Sequence, residues 1–366
     1  MRKVAVIPAV VLAALCTFTG CKKEEVENVI APLVSDGQTT ESTEEAQEEK
    51  DPLIPEIDTS VELQAGSRVA VVSKSTSGEF WGLVKKGMEQ AIADVNEAYG
   101  FKKEDQVTMT FEGASDEKDV ESQVNTIDAV IAENPDVLCV SASDMDSLQA
   151  QLEAAKENGI PVVAFDSGVT DSKMVRAFRG TDNTRVGEIA AYRLATAIGK
   201  MGKVAVFSAQ EKTQSIQERV SGFTNYITNY PDIEVVEIVY QDQVDDMTAA
   251  MQEVLDKYPQ LDGVFCDNAD IADLYLDMKK DETKDSIVMV GVDATAKQQE
   301  AIRNSKEVGV VSQQPYAMGY QTIWTALLTT APKKSVEIKR NVRIDPAWID
   351  SSNIDDPTYS SYLYAN

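Results

Sequence analysis

The sequence contains no histidine among its 366 residues. Without an imidazole, a Ser-His-Asp or Cys-His nucleophile, a histidine general base and a histidine-ligated metal site are all excluded. Basic residues are also scarce, because 34 Lys and Arg stand against 61 Asp and Glu, which gives a formal net charge of −27. Affinity for phosphate backbones depends on clustered cations, so we expect no nucleic-acid partner.

Cysteines and long apolar runs are few as well. Beyond the first fifteen residues, no stretch approaches the ~20 apolar residues that a membrane span needs. Of the four cysteines, Cys139 and Cys266 each lie in an apolar run typical of a buried strand, so we expect two free core thiols and no disulfide. With no histidine and no C-x-x-C motif, we expect neither a metal nor a cofactor.

The N-terminus has the pattern of an export signal. Two basic residues precede an apolar run over residues 4–15, and small residues lead to Cys21. We interpret residues 1–20 as a signal peptide. Cys21 is similar to the lipid-modified cysteine of bacterial lipoproteins, although Phe18 departs from the usual aliphatic residue; the alternative is a cysteine beside an ordinary cleavage site. The expected location is the outer face of the cytoplasmic membrane, as a lipoprotein, or the periplasm.

Residues 21–66 differ from the rest in composition. They contain 13 acidic and 3 basic residues and few aromatic ones. This composition predicts disorder. We therefore expect an acidic tether, with an end-to-end distance of roughly 40 Å, that links the folded part to the membrane if Cys21 carries a lipid.

From residue 67 onward, short apolar runs alternate with amphipathic stretches. The candidate strands cover residues 68–73, 107–111, 137–140, 161–165, 204–207, 235–240, 263–266, 287–292 and 308–311. Such short apolar runs are typical of strands buried on both faces, and helical patterns separate most of them. The predicted fold class is therefore α/β, with parallel sheets covered by helices.

Two sheets are indicated, because these strands exceed the needs of one ordinary domain. A turn at residues 180–183 interrupts the pattern near the middle, where Asp182 or Asn183 can cap a helix that runs to Ile198. In open α/β sheets, ligands bind outside the carboxyl ends of the strands. The functional residues are therefore expected directly after the strands.

Polar and aromatic side chains occupy those positions. They are Phe80, Trp81, Asp166, Asn268, Asp293 and Gln313. Carboxylates and amides form paired hydrogen bonds, and aromatic rings offer apolar faces. A sugar presents neighbouring hydroxyls and C–H faces, so this set favours a small polyol over a phosphate or an apolar ligand.

The motifs around these residues resemble the type I periplasmic solute-binding proteins of the ribose and galactose group, over residues 67–344. They are Gly78-Glu79-Phe80-Trp81, Ser143-Asp144-Met145-Asp146, Phe165-Asp166, Thr181-Asp182-Asn183, Glu218-Arg219-Val220-Ser221-Gly222-Phe223, Asp267-Asn268, Val292-Asp293 and Ser312-Gln313-Gln314-Pro315. The resemblance implies two Rossmann-like lobes joined by a three-crossing hinge near residues 181/182, 313/314 and 340. Lobe 1 would comprise residues 67–181 plus 314–340, and lobe 2 residues 182–313 plus 341–366.

The same resemblance implies a ligand-binding role for seven of these residues. Phe80 and Trp81 would form an aromatic platform, Asp166 would accept hydrogen bonds from hydroxyls, and Arg219 would donate from lobe 2. Asn268, Asp293 and Gln313 would complete the ring. Gly78, Ser167, Asp267 and Asp270 are secondary candidates, and residues 241–243 follow another strand.

Two departures from the family pattern leave the sugar unspecified. Ser167 stands where ribose binders have an arginine, and Ala269 stands where many members have an acid. Asp267 or Asp270 can supply a replacement acid.

Each assignment has a structural alternative. Phe80 and Trp81 can be core aromatics, Asp166 and Asp293 can cap the segments that follow them, and Arg219 can form a surface ion pair. For a second set of polar residues, capping is the preferred interpretation over ligand contact. That set is Asp144, Asp146, Asp182 and Asn183.

The implied function is that of the exported, monomeric binding subunit of an ABC importer. It would close over a sugar or polyol and present it, chemically unchanged, to a membrane permease, with a lipid anchor as its only membrane contact. The alternative is a sensor subunit that hands its closed form to a chemoreceptor or histidine kinase. A glycosidase is disfavoured, because Asp166 and Asp293 would lie on opposite lobes and not at a fixed close spacing.

Overall fold

The computed structural model describes residues 51–280, 286–332 and 337–364. The predicted signal peptide, Cys21 and the first part of the tether lie outside these ranges. Within them, no helix combines the length and the apolar character that crossing a membrane requires.

Strands and helices alternate along the described chain. The strands are β1 (Arg68–Ser75), β2 (Thr108–Ala114), β3 (Val137–Val140), β4 (Val162–Phe165), β5 (Ala177–Thr181), β6 (Gly202–Ser208), β7 (Ile233–Tyr240), β8 (Gly263–Cys266), β9 (Val288–Val292), β10 (Gly309–Ser312), β11 (Asn341–Ile344) and β12 (Ala347–Asp350). The helices are α1 (Glu79–Tyr99), α2 (Val120–Ala132), α3 (Gln149–Glu157), α4 (Asn183–Ala197), α5 (Gln214–Ile227), α6 (Met247–Lys257), α7 (Ala269–Met278), α8 (Ala296–Arg303) and α9 (Pro315–Thr330). Every predicted strand overlaps one of these. The short strands β5, β11 and β12 were not predicted, because none is a continuous apolar run.

The strands form two sheets with the same internal order. The first sheet runs β2-β1-β3-β4-β5-β11 and the second β7-β6-β8-β9-β10-β12. All neighbours pair in parallel except β10 and β12, which are antiparallel. The predicted class, two α/β lobes with parallel sheets, is confirmed. In each sheet the order reverses beside the first strand of the lobe, which is where such sheets bind ligands.

Continuous apolar runs in the strands build a core on both faces of the sheets. In lobe 1, Val84 and Met88 of α1 and Ile323 of α9 are fully buried on one face. Ile127 of α2 and Leu152 of α3 are buried on the other face. A larger cluster fills lobe 2. Cys139 and Cys266 are buried, free thiols within these cores, as predicted.

The third crossing between the lobes lies beyond its predicted position. Strand β11 pairs in parallel with β5, with Ile344 opposite Thr181, so residues 341–344 belong to lobe 1. The chain then crosses to lobe 2, where β12 pairs with β10. The assignment of residues 341–366 to lobe 2 is therefore wrong for 341–344. The prediction was wrong because β11 is a polar edge strand, which only its pairing with β5 identifies.

The predicted disorder of residues 21–66 is wrong for residues 51–66. Val61 and Leu63 are buried against lobe 1, and Ile54 and Ile57 pack on the same core. The Tyr99 hydroxyl donates a hydrogen bond to the Val61 carbonyl over 2.7 Å. The prediction was based on the average composition of residues 21–66, which is acidic despite these few apolar residues. They are enough to fix the segment because lobe 1 offers an apolar surface to them.

Candidate functional site

A cavity of about 660 Å³ lies between the lobes, at the carboxyl ends of the strands. It is lined by all of the principal candidates, Phe80, Trp81, Asp166, Arg219, Asn268, Asp293 and Gln313, and by the secondary candidates Gly78 and Asp270. Ser167 and Asp267 are buried just behind its wall. The tertiary structure therefore brings candidate residues from six chain segments to one space.

Asp166 is the first residue after β4 and has a φ of 56°. Its Oδ2 accepts hydrogen bonds from the hydroxyls of Ser141 (2.9 Å) and Ser167 (3.1 Å) and forms an ion pair with the Lys74 ammonium at 2.9 Å. No residue in the described ranges donates to Oδ1. This carboxylate is thus held firmly by one oxygen, with the other open to a ligand.

Lys74 is a site residue that sequence reasoning missed. Its ammonium lies 3.7 Å from Glu117 and donates to Ser167 over 3.2 Å. Burial lowers the pKa of Lys74, but the charges of Asp166 and Glu117 outweigh burial and raise it above its ordinary value. The buried ammonium is therefore charged and balances the carboxylates of lobe 1. Lys74 directly follows the predicted strand, which stopped at residue 73. The expectation that functional residues follow the strands could therefore have identified it.

The aromatic pair lies on the first turn of α1. Trp81 is 3% exposed, and its Nε1 donates to Glu117 over 2.6 Å. Its ring meets that of Phe80 edge to face, with 5.1 Å between the centroids. Phe80 is half-buried and also approaches Tyr364 of lobe 2 at 6.1 Å. Trp81 belongs to the lobe 1 core and also forms part of the cavity wall, so its position agrees with both the core and the cleft interpretations.

Arg219, on α5, is fixed by two hydrogen bonds. Nε donates to Asn183 Oδ1 over 2.8 Å, and Nη1 donates to the Asp267 carbonyl over 2.7 Å. It is 3% exposed, so the interpretation as a surface ion pair is wrong. Asn183 orients this guanidinium, whereas Asp182 caps α4 by accepting from the backbone of Arg185.

Two glycines place Arg219 beside α4. A Cβ on Gly187 would lie 2.1 Å from the Arg219 carbonyl oxygen, and one on Gly222 would lie 2.2 Å from the Thr184 carbonyl oxygen. The two helices therefore pack closer than any side chain at these positions would permit. This close packing brings the guanidinium to the edge of the cleft.

Asp293 is the first residue after β9 and has a φ of 81°. Its Oδ1 accepts from Gln313 Nε2 (2.7 Å) and from the Tyr364 hydroxyl (2.9 Å), and its Oδ2 accepts from the backbone of Ala269 (2.9 Å). Burial, followed by the charge of Asp293, raises the pKa of Tyr364 well above its ordinary value. Tyr364 therefore stays protonated and positions Asp293. No sequence motif marked it, because it reaches the site from the C-terminal segment.

The loop after β8 has a mainly structural role. Asn268 lines the cavity while its Oδ1 caps α7 by accepting from the backbone of Ile271 over 3.0 Å. Asp267 accepts from the Ser208 hydroxyl and from the backbone of Ala209. Burial raises the pKa of Asp267 to about 6, although these hydrogen bonds and the charge of Arg219 oppose the rise.

A family model described as "Periplasmic binding protein domain" matches residues 69–331. The chain belongs to the periplasmic binding protein family.

Relatives of this periplasmic binding protein include transport proteins of known ligand. It is 27% identical to the ribose import binding protein of Bacillus subtilis (strain 168) over 203 residues, which cover 56% of this chain and 66% of that protein, just under two thirds of its length. It resembles a solved ABC transporter solute-binding protein from Agrobacterium vitis with bound D-fucose (TM-score 0.74, 29% identity, 81% of this chain and 100% of that chain). A carbohydrate transporter solute-binding protein from Agrobacterium radiobacter in complex with D-arabinose is also similar (TM-score 0.73, 28% identity, 82% and 99%).

The two lobes of this periplasmic binding protein touch on one side of the cavity through α5. Gln214 Oε1 accepts from the backbone of Gly168 over 2.6 Å, and the hydroxyls of Ser167 and Ser215 form a hydrogen bond over 2.9 Å. Nearby, Glu218 forms a bidentate ion pair with Arg343 of β11 (2.5 and 2.9 Å).

On the other side of the cavity, Glu79 Oε2 accepts from the backbone of Ala296, at the start of α8, over 3.0 Å. Direct contacts therefore hold the lobes together on both sides of the cavity.

The remaining predicted residues differ in whether they line the cavity. Gln241 lines the cavity, while Asp242 and Gln243 bond to Glu211. Asp144 caps the turn that follows it by accepting from the backbone of Asp146, as predicted.

Proposed function

We propose that this protein is the extracytoplasmic solute-binding subunit of an ABC importer. It captures a sugar or related polyol between its lobes and delivers it to a membrane permease. The observation that carries this proposal is a cavity large enough for a sugar, which receives oriented polar groups from both lobes. The relatives named above, which import ribose or were solved with bound D-fucose and D-arabinose, support the same class of ligand.

The arrangement suits reversible capture. Asp166 in lobe 1 offers a free carboxylate oxygen, and Arg219 in lobe 2 offers donors on a guanidinium whose other nitrogens are already fixed. A hydroxyl-bearing ring between them completes hydrogen bonds that water supplies when the lobes are apart. Because charge-assisted hydrogen bonds strengthen when water leaves, the ligand stabilises the closed arrangement over the open one.

The aromatic pair adds an apolar contact. Phe80 packs against Trp81 in lobe 1 and against Tyr364 in lobe 2. A C–H face of a sugar on Phe80 therefore contacts both lobes at once. Nothing in this binding scheme changes the ligand chemically, so we propose that the protein is not an enzyme.

The test is a binding screen on the exported chain with Cys21→Ser, which keeps it soluble. Mass spectrometry under native conditions after mild purification should show a retained pentose- or hexose-sized ligand. A panel of monosaccharides should contain at least one that raises the melting temperature. Arg219→Lys should abolish that rise. Lys203→Arg should not, because Lys203 forms an exposed ion pair with Glu234 on the far side of lobe 2. Turnover of any oligosaccharide, or the absence of binding by every sugar, contradicts the proposal.

We also propose that Cys21 carries the lipid that anchors the protein. Labelling of growing cells with an alkyne-bearing fatty acid should mark the wild-type chain and not Cys21→Ser, and the variant should appear in the soluble exported fraction. Equal labelling of both chains contradicts the anchor.

A further inference from the structure

The wall of the cleft has more acidic side chains than basic ones. Its wall contains eight acidic and four basic side chains. Lys118 pairs with Asp116 at 3.5 Å, and Lys297 pairs with Asp277 at 2.9 Å. The rest of the wall keeps a net negative charge.

Two acids of the wall share one cation. Asp166 and Glu117 both depend on the Lys74 ammonium, which lies 2.9 Å from the first and 3.7 Å from the second. In the part of the chain that the structure describes, the donors to Asp293 are all neutral: Gln313, Tyr364 and a backbone N–H. The carboxylates therefore outnumber the cations at the centre of the cleft as well as over the whole wall.

Asp270 faces this excess from lobe 2. It lies in the first turn of α7 and is open to the cavity. Within the described ranges, no side chain pairs with its carboxylate. Desolvation in the cleft, followed by the charges of Glu117, Asp293, Asp273 and Asp116, raises its pKa to about 6. Since Glu117 and Asp116 belong to lobe 1, closure brings like charges together.

We propose that the cleft selects a sugar that carries a protonated amine over its neutral parent, and that Asp270 is the specificity residue that receives the ammonium group. This inference rests on the proposed function for the use of the cleft. An ammonium between Asp270 of lobe 2 and Glu117 of lobe 1 forms charge-assisted hydrogen bonds with both and removes the repulsion that opposes closure. The sugar hydroxyls remain with Asp166 and Arg219.

The same charges exclude anionic sugars. Lys74 is already paired with Asp166, and two nitrogens of Arg219 are bonded to protein oxygens. A carboxylate or phosphate on the ligand would enter a low-dielectric space of its own sign, which is unfavourable. We therefore expect sugar acids and sugar phosphates to bind more weakly than the neutral parent.

The test uses matched ligands in calorimetry at about pH 7, where the amine of an amino sugar is largely protonated. The pairs are D-galactose with D-galactosamine and D-glucose with D-glucosamine, with D-galacturonate as the anion. We expect the preferred amino sugar to bind about tenfold tighter or more than its parent. Asp270→Asn should lower the ratio of the two dissociation constants to near one. Asp277→Asn, which removes a cleft acid already paired with Lys297, should leave the ratio unchanged.

The outcomes separate the two proposals. Binding of neutral sugars with no gain from the amine, an unchanged ratio in Asp270→Asn, or tight binding of D-galacturonate rejects the charge selection and leaves the importer function intact. Failure of every sugar, with or without an amine, rejects both.

Discussion

Asp166 and Asp293 occupy equivalent positions in the two lobes. Each follows the fourth strand of its lobe, β4 or β9, and each has a positive φ, of 56° and 81° respectively. The backbone N–H of each donates to a carbonyl of the next strand, that of Arg179 or Val311. Non-glycine residues rarely adopt this conformation, and Asp and Asn tolerate it best. The strained turn therefore aims both carboxylates over the sheet edges from opposite sides of one cleft.

These two carboxylates should respond differently to neutralisation. Asn preserves the backbone conformation at both sites. Asp293→Asn turns one acceptor oxygen into an NH2 group that faces a neutral donor, and a buried donor left unsatisfied in this way costs about 1–3 kcal/mol. Asp166→Asn leaves the buried Lys74 ammonium with only the more distant Glu117, and removal of one partner of a buried ion pair costs about 3–5 kcal/mol. The free energy of unfolding measured in urea should therefore be lower for Asp166→Asn than for Asp293→Asn.

A double variant checks the cause of this difference. Lys74→Met combined with Asp166→Asn removes both charges, so it should recover much of the lost stability. If the two losses simply add, the Lys74–Asp166 pair does not account for the effect.

Gly187→Ala should disturb the site through packing alone. The added Cβ would meet the Arg219 carbonyl oxygen at 2.1 Å, so α5 must move away from α4. Overpacking of this kind costs about 1–3 kcal/mol. Sugar affinity should fall as well, because Arg219 moves with its helix. Gly82→Ala on α1 is the control, since its Cβ meets nothing within 4 Å. Equal behaviour of the two variants in thermal melts and binding would contradict this role for Gly187.

Gln214→Ala should shift the lobes toward the open arrangement. It removes the hydrogen bond that Gly168 donates across the cleft, worth about 0.5–1.5 kcal/mol. The radius of gyration of the unliganded protein should increase in small-angle scattering, and affinity should fall by up to about tenfold. At saturation the dimensions should match the wild type. Gln252→Ala, an exposed glutamine on α6, provides the control and should change neither quantity.

Glu307→Gln should change the pH dependence of stability in lobe 2. Glu307 is 1% exposed, and burial raises its pKa well above the ordinary value of 4.5. The folded state therefore holds a proton that the unfolded state releases above about pH 4.5, so this group stabilises the fold at low pH and loses that contribution as the pH rises. Relative to wild type, Glu307→Gln should gain stability between about pH 5 and pH 8 in urea unfolding. A constant difference across that range would show that Glu307 is ionised in the folded protein.

Most of the candidate site could be predicted from the sequence, because its residues obey a local rule. Asp166, Asn268, Asp293 and Gln313 each follow an apolar strand, and the carboxyl ends of the parallel strands of each lobe meet at one edge of its sheet. Tyr364 and Asn183 could not be assigned in the same way. Their partners, Asp293 and Arg219, are distant in the sequence, and only the packing of the C-terminal segment and of α4 against α5 brings each pair together.

The same division holds for the fold. Hydrophobic periodicity determined the α/β class, since apolar runs can be satisfied only by strands covered on both faces. The sequence alone also excluded histidine chemistry, because this residue type is absent, and predicted no nucleic-acid partner, because acidic residues outnumber basic ones. Only the tertiary structure decided that residues 51–66 pack on lobe 1, that β11 completes the first sheet and that Lys74 is charged within the cleft. Each of these depends on partners far away in the chain, whose burial and charge local sequence does not encode.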